Sequence, residues 1–113
     1  MIRGREVVEF PVNQELRTKR YTEEAVSWIS KNHDGPFSLY MAHNMPHIPI
    51  FVSKDFQGRS KGGKYGDVIE EIDRFVGKVV EAVEQQGISE KTLNKVRGNG
   101  GTFERREGNV FGR

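Results

Sequence analysis

Cysteine is absent from the 113 residues, which removes a disulfide framework, a thiolate nucleophile and any cysteine-based zinc or iron–sulfur ligation. Apolar residues are scarce as well, at 35% of the chain against about 45–50% in ordinary soluble domains. A chain of this length forms one small domain or part of one, with little margin of stability. No run approaches the roughly 18 apolar residues that a bilayer span requires, and Met1-Ile2-Arg3-Gly4-Arg5-Glu6 lacks the apolar stretch of a signal peptide. No membrane partner is expected, and the compartment is unknown. A dominant charge sign is also missing: 18 Lys+Arg stand against 16 Asp+Glu, for a net charge of +2. The two signs are interspersed, so no nucleic-acid partner is expected.

What the chain does have is two helical patterns around one apolar stretch. Glu6-Val7-Val8-Glu9-Phe10-Pro11-Val12 is β-prone, and Pro11 demotes it to an edge strand or an extended lead-in. Asn13 suits the N-cap of a helix running to about Asn32, along which Tyr21, Ala25, Trp28 and Ile29 form an apolar stripe. Lys31, Gly35 and Pro36 then favour termination. Phe37-Ser38-Leu39-Tyr40-Met41-Ala42 reads as a largely buried core strand. The prolines of Met45-Pro46-His47-Ile48-Pro49 forbid a regular ladder and predict a rigid extended loop.

The second helix is predicted from about Tyr65 to Gln86, where Val68, Ile72, Phe75, Val79 and Val83 recur at threes and fours. Gly87 is placed to end it. Helix, strand, loop and helix in this order are the front of a βαβ unit, which requires a second apolar strand parallel to the first. The residues after Thr92-Leu93 are polar and Gly-rich, unfit for that role, and the tail is expected to be disordered.

Three histidines are the main candidates for chemistry. His33 lies in the helix-terminating turn, where satisfying end carbonyls is the better reading. His43 and His47 have the helical spacing of a zinc pair, but Pro46 between them argues against a helix. His47, held between Pro46 and Pro49 beyond the end of the predicted strand, lies where α/β folds place ligands; functional and structural readings balance there. Gly62-Gly63 and Gly98-Asn99-Gly100-Gly101 match no phosphate-binding loop and read as linkers. Lys54, Arg59, Lys61 and Lys64 form a loose basic loop that either attracts an anionic substrate or is merely solvated. The acids of the second helix could offer metal ligands, but Asp67, Glu70 and Glu71 read better as helix-start caps facing water.

Three stretches together resemble the sulfatase family, in particular its formylglycine-type arylsulfatases. They are Arg20-Tyr21-Thr22-Glu23-Glu24-Ala25, then Pro36 through Pro49 with its Met45-Pro46-His47-Ile48-Pro49, then Tyr65-Gly66-Asp67-Val68-Ile69-Glu70-Glu71-Ile72-Asp73. The resemblance runs from about residue 5 to Leu93 and is most specific in the middle motif. It implies an α/β fold, a partial βαβ-type piece of an alkaline-phosphatase-like domain with two amphipathic helices and one core strand. Residues 1–93 would be the catalytic-domain fragment and 94–113 a degenerate tail. Complete members hydrolyse sulfate esters with a bound calcium ion and are commonly exported or lysosomal, and His47 matches their active-site histidine.

The departures from that pattern are equally informative. The C/S-x-P-x-R motif that yields the family's nucleophile is absent, as is the later Asp-Asn pair of metal ligands. Val96-Arg97-Gly98-Asn99-Gly100-Gly101-Thr102-Phe103-Glu104 is similar to a still later family region, without its Lys. The expectation is an internal fragment or truncated product that carries His47, binds no calcium by itself and is inactive alone. The alternative is a small non-catalytic binding or oligomerisation module, self-associating through uncovered apolar faces. A phosphatase or phosphonate hydrolase of the same superfamily is a third reading.

Overall fold

A computed structural model describes residues 1–96. The chain opens on a two-stranded antiparallel hairpin, β1 (Ile2–Arg3) with β2 (Glu6–Val7), in the register Ile2 to Val7 and Arg3 to Glu6. The N-terminal ammonium donates to the Glu9 carbonyl at 2.6 Å and Val8 N–H to the Met1 carbonyl at 2.9 Å, which extends the pairing past β2. Two ion pairs, Arg3 with Glu24 and Arg20 with Glu9, moor the hairpin to the first helix.

Asn13 fulfils its capping role: its Oδ1 accepts from Glu15 N–H at 3.1 Å and starts a 3₁₀ turn, Gln14–Leu16, that runs into α1 (Arg17–Asn32). The buried stripe of α1 is Thr18, Thr22, Ala25 and Ile29. Of the predicted stripe Ala25 and Ile29 are buried, whereas Tyr21 is half-buried and Trp28 exposed at the margin. Two threonines are tolerable inside because Thr22 donates its hydroxyl to the Thr18 carbonyl at 2.9 Å, leaving no buried hydroxyl unpaired there. Asn32 Nδ2 donates to the Trp28 carbonyl and His33 Nδ1 to that of Ser30, both at 2.8 Å, satisfying the end of the helix as expected of His33.

The second helix, α2, spans Gly63–Gln85 and carries buried Val68, Phe75, Ala82 and Val83. Its end has the double hydrogen bond of a Schellman motif, Gly87 N–H to Glu84 O at 2.9 Å and Ile88 N–H to Val83 O at 3.4 Å, with Gly87 at φ 71°. α1 and α2 pack on each other, and Gln86 Nε2 donates to Ser30 Oγ at 3.3 Å to join their C-terminal ends. A second cluster, Met45, Val52 and Val68 with Ile50, Phe51, Phe56 and Ile72 around it, fastens the intervening loop to α2. Each large apolar side chain fully buried in these layers contributes about 1.5–3 kcal/mol.

Two expectations are corrected here. The core strand does not form: Phe37–Ala42 pairs with no other strand among the described residues, and Tyr40 is 90% exposed. A buried parallel strand needs neighbours to take its backbone groups and to cover both faces, and the described residues supply none. What holds the segment is an edge-to-face contact of Phe37 with Trp28, centroids 5.3 Å apart. Second, Gly62-Gly63 are no linker but the start of α2. The expected tail lies, from residue 97 onward, outside the described residues.

Candidate functional site

The loop between α1 and α2 is pinned on both sides of His47. Before it, Met45 is buried in the second cluster, and its sulfur accepts from Phe51 N–H at 3.5 Å. After it, Val52 is 2% exposed and Ser53 N–H donates to the Glu71 carboxylate. Pro46 and Pro49 remove two backbone donors and fix two φ angles in between. The result is an exposed imidazole on a short stretch with few accessible conformations.

The imidazole is also oriented. His47 Nδ1 lies 2.8 Å from the Ile48 carbonyl oxygen, and a carbonyl can only accept, so Nδ1 carries the proton. In the neutral ring Nε2 is then the basic atom. An Nε2 lone pair can take a proton from a hydroxyl nucleophile, and once protonated it can donate to an oxyanion.

His43 differs in kind. It is half-buried, its Nδ1 has no hydrogen-bond partner among the described residues, and desolvation holds its pKa below the ordinary histidine value. With Tyr21, Glu24, Trp28, Leu39 and Tyr40 it lines a groove of about 400 Å³ along α1. A neighbouring hollow of about 460 Å³ adjoins Phe37 and Lys31, and His47 lines neither. Among the described residues no group of three or more His, Asp or Glu side chains gathers to hold a metal, so the His43/His47 spacing finds no third ligand.

Of the acids expected to face water, Glu70 is exposed, whereas Asp67 and Glu71 are buried. Asp67 is 4% exposed and accepts from Gly58 N–H at 2.8 Å and Ser60 N–H at 2.7 Å, and these bonds hold its pKa below the usual carboxylate value. Glu71 is 1% exposed and faces Ser53 N–H, with its pKa pushed up chiefly by burial. Ser60 Oγ accepts from Gly62 N–H at 2.8 Å and stands so close to Gly66 that a Cβ there would lie 2.0 Å from it. The basic loop is thus a shaped element, stitched to the first turns of α2. The available signal was register: Asp67 and Glu71 precede buried Phe75 at successive fours.

The family model for sulfatases matches residues 4–93. The chain belongs to the sulfatase family. It is 40% identical over 96 residues to the N-acetylgalactosamine-6-sulfatase of Mus musculus, covering 80% of this chain and 18% of that protein. With human arylsulfatase D it shares 36% over 109 residues, 96% of this chain and 18% of the relative. Human steryl-sulfatase is 36% identical over 93 residues, 82% and 16% respectively. The chain therefore spans less than a fifth of the length of these sulfatases. Membership implies an α/β context, and the described residues leave Phe37–Ala42 unpaired within it.

Proposed function

We propose that this chain is the segment of a sulfuric ester hydrolase that presents His47 to the sulfate group, and that it is inactive by itself. One observation carries the reading: the Ile48 carbonyl accepts a hydrogen bond from Nδ1–H and leaves Nε2 as the working atom, on a loop pinned by Met45 and Ser53. An imidazole so held can accept a proton from the attacking group or donate to a sulfate oxygen as charge develops. The segment contains no C/S-x-P-x-R nucleophile motif to activate.

The calcium ion implied by the family does not fit the described residues. No oxygen-rich cluster gathers among them, and the buried carboxylates of Asp67 and Glu71 are turned to backbone amides. Calcium ligation in a whole sulfatase is assigned to other segments, and no step here runs through it.

The test titrates the chain with p-nitrophenyl sulfate while long-range proton–nitrogen NMR follows the imidazoles and absorbance follows nitrophenol. The expected result is no release, with Nε2 of His47 shifting and His33 unaffected. An unresponsive His47 removes the site assignment, and release that His47→Ala abolishes removes the inactivity.

A further inference from the structure

Glu71 is a buried ionisable group that the chemistry assigned to His47 leaves unused. Only 1% of its surface is exposed, and no Lys, Arg or His pairs with it among the described residues. The charge that acts on it is that of Asp55, of the same sign. A carboxylate taken out of water is costly unless a cation or several donors offset the loss. Glutamine would offer the same acceptor without an ionisation. An acid here therefore breaks a local rule, and such breaks gather at functional sites.

Glu71 stands on α2 between buried Val68 and Phe75. Val68 and Ile72 on that helix pack with Met45, Ile50, Phe51 and Val52 of the His47 loop. Those contacts are apolar and carry no direction. The directional one comes from Ser53, whose backbone N lies 3.3 and 3.4 Å from the two Glu71 oxygens. Ser53 is 5% exposed, and its carbonyl accepts from Phe56 N–H at 3.0 Å to start the 3₁₀ turn Lys54–Phe56. His47 lies six residues earlier, so the seat of Ser53 fixes one end of the stretch that presents the imidazole.

We infer that Glu71 is a positioning residue for His47: through the Ser53 amide it latches the loop to α2 while protonated and lets it go once ionised. The inference rests on the reading of His47 as the working group and adds a control over it. Neutral, the carboxyl group accepts from Ser53 N–H and suits an apolar seam. Charged, it draws water between α2 and the loop, and repulsion from Asp55 adds to the drive. The surrounding elements offer no relief. Asp67, one turn earlier on α2, turns both oxygens to Gly58 and Ser60 N–H, and the buried stripe of α1, Thr18, Thr22, Ala25 and Ile29, is uncharged. Lys54, beside Asp55, is exposed and makes no ion pair with Glu71.

Burial makes the closed loop hold the Glu71 proton more tightly than the open one. Latching is full below the ordinary glutamate value of about 4.3. It weakens by about tenfold per pH unit above that and levels off once the folded value is passed.

Hydrogen exchange at Ser53 and Phe51 is followed in the 113-residue chain from pH 4 to 8, with the His47 tautomer read by long-range proton–nitrogen NMR at pH 7.5. Protection is expressed relative to Glu71→Gln, which keeps the acceptor and cannot ionise, so that other titrations cancel. The parent-to-Gln ratio is expected to fall about tenfold or more across this range. Asp55→Asn should end that fall at lower pH. At pH 7.5 Glu71→Gln should hold a larger Nδ1–H share of His47 than the parent, and Glu71→Ala a smaller one. If Glu71→Ala fails to fold, the Gln comparison decides alone. A flat ratio, an unprotected Ser53 at pH 4.5, or an equal tautomer share in the parent and Glu71→Gln overturns the inference. The same fall should persist in His47→Ala, so a flat ratio counts against Glu71 alone. A p-nitrophenyl sulfate titration that leaves Nε2 unmoved counts against His47 alone.

Discussion

Glu71 faces the backbone amide of Ser53, 18 residues earlier, with both of its oxygens, at 3.3 and 3.4 Å. A carboxylate with 1% of its surface exposed is here the fastening between α2 and the loop that carries His47.

That fastening has a pH signature. Burial raises the pKa of Glu71, so the folded state holds its proton more tightly than the unfolded chain does. Its contribution is present below the ordinary glutamate value of about 4.3 and is lost as pH rises through the folded value. Asp67 has the opposite sign: its depressed pKa gives a contribution present above the ordinary aspartate value and lost on acidification. Glu71→Gln keeps an acceptor for Ser53 N–H and removes the ionisation, so urea midpoints at pH 7 should hold or rise. Glu71→Ala, which orphans that amide and leaves a cavity, should lower stability by about 2–3 kcal/mol. Urea melts of both variants at pH 4 and 7 check the signs.

His43 predicts a loss of stability on mild acidification. Its pKa is lowered by burial, so protons favour the unfolded chain once pH drops below the ordinary histidine value of about 6.5. The charged groups that share its groove are Glu24, already engaged by Arg3, and Lys31. Replacing the ring by His43→Leu removes the unpaired Nδ1 at similar volume. The variant should match the parent within about 1 kcal/mol at pH 7.5 and lose less between pH 6.5 and 5.5, as read by thermal melts at each pH.

How far the fold is legible follows from what each pattern needs. A helix satisfies its own backbone, so the threes and fours from Val68 to Val83 suffice to locate α2, and Asn13 locates the start of the first helical segment. A strand needs a partner, so the apolar run Phe37–Ala42 records burial that the described residues do not provide. The same holds for Leu93, 90% exposed where a second strand was sought. Asp67 and Glu71 were misread because acids near a helix start usually face water; their register with Phe75 told otherwise. His47 was singled out by its flanking prolines and its motif, whereas the Ile48 carbonyl that sets its tautomer is a matter of geometry alone.

Gly66 offers a test in which one substitution changes sign with its background. An alanine in a helix interior is normally worth about 0.5–1 kcal/mol over glycine. Here its Cβ would meet Ser60 Oγ at 2.0 Å, and moving that oxygen breaks its bond from Gly62 N–H. Gly66→Ala should therefore be neutral to destabilising in the parent. In a Ser60→Gly background, where the obstacle is gone, the same change should stabilise by about 0.5–1 kcal/mol. A double-mutant cycle in urea measures the coupling, and a gain of equal size in both backgrounds counts against this packing.

Met45 and His47 are two residues apart and should respond to truncation in different observables. Met45 is 8% exposed in the cluster with Val52 and Val68, so Met45→Ala removes buried volume and should cost about 2–4 kcal/mol. It should also release the loop, with loss of amide protection at Phe51, whose N–H points at the Met45 sulfur. His47 is exposed and, among the described residues, bonds only to its neighbour's carbonyl, so His47→Ala should shift stability by less than about 0.5 kcal/mol and leave Phe51 protected. Spliced into an otherwise complete sulfatase, His47→Ala should then cut turnover by about 10²-fold or more at unchanged melting temperature. Met45→Ala in the same setting should lower both, because a displaced loop misplaces the imidazole. Equal losses of stability in the two variants would mean that His47 is a structural residue, and the division of labour along this loop would fail.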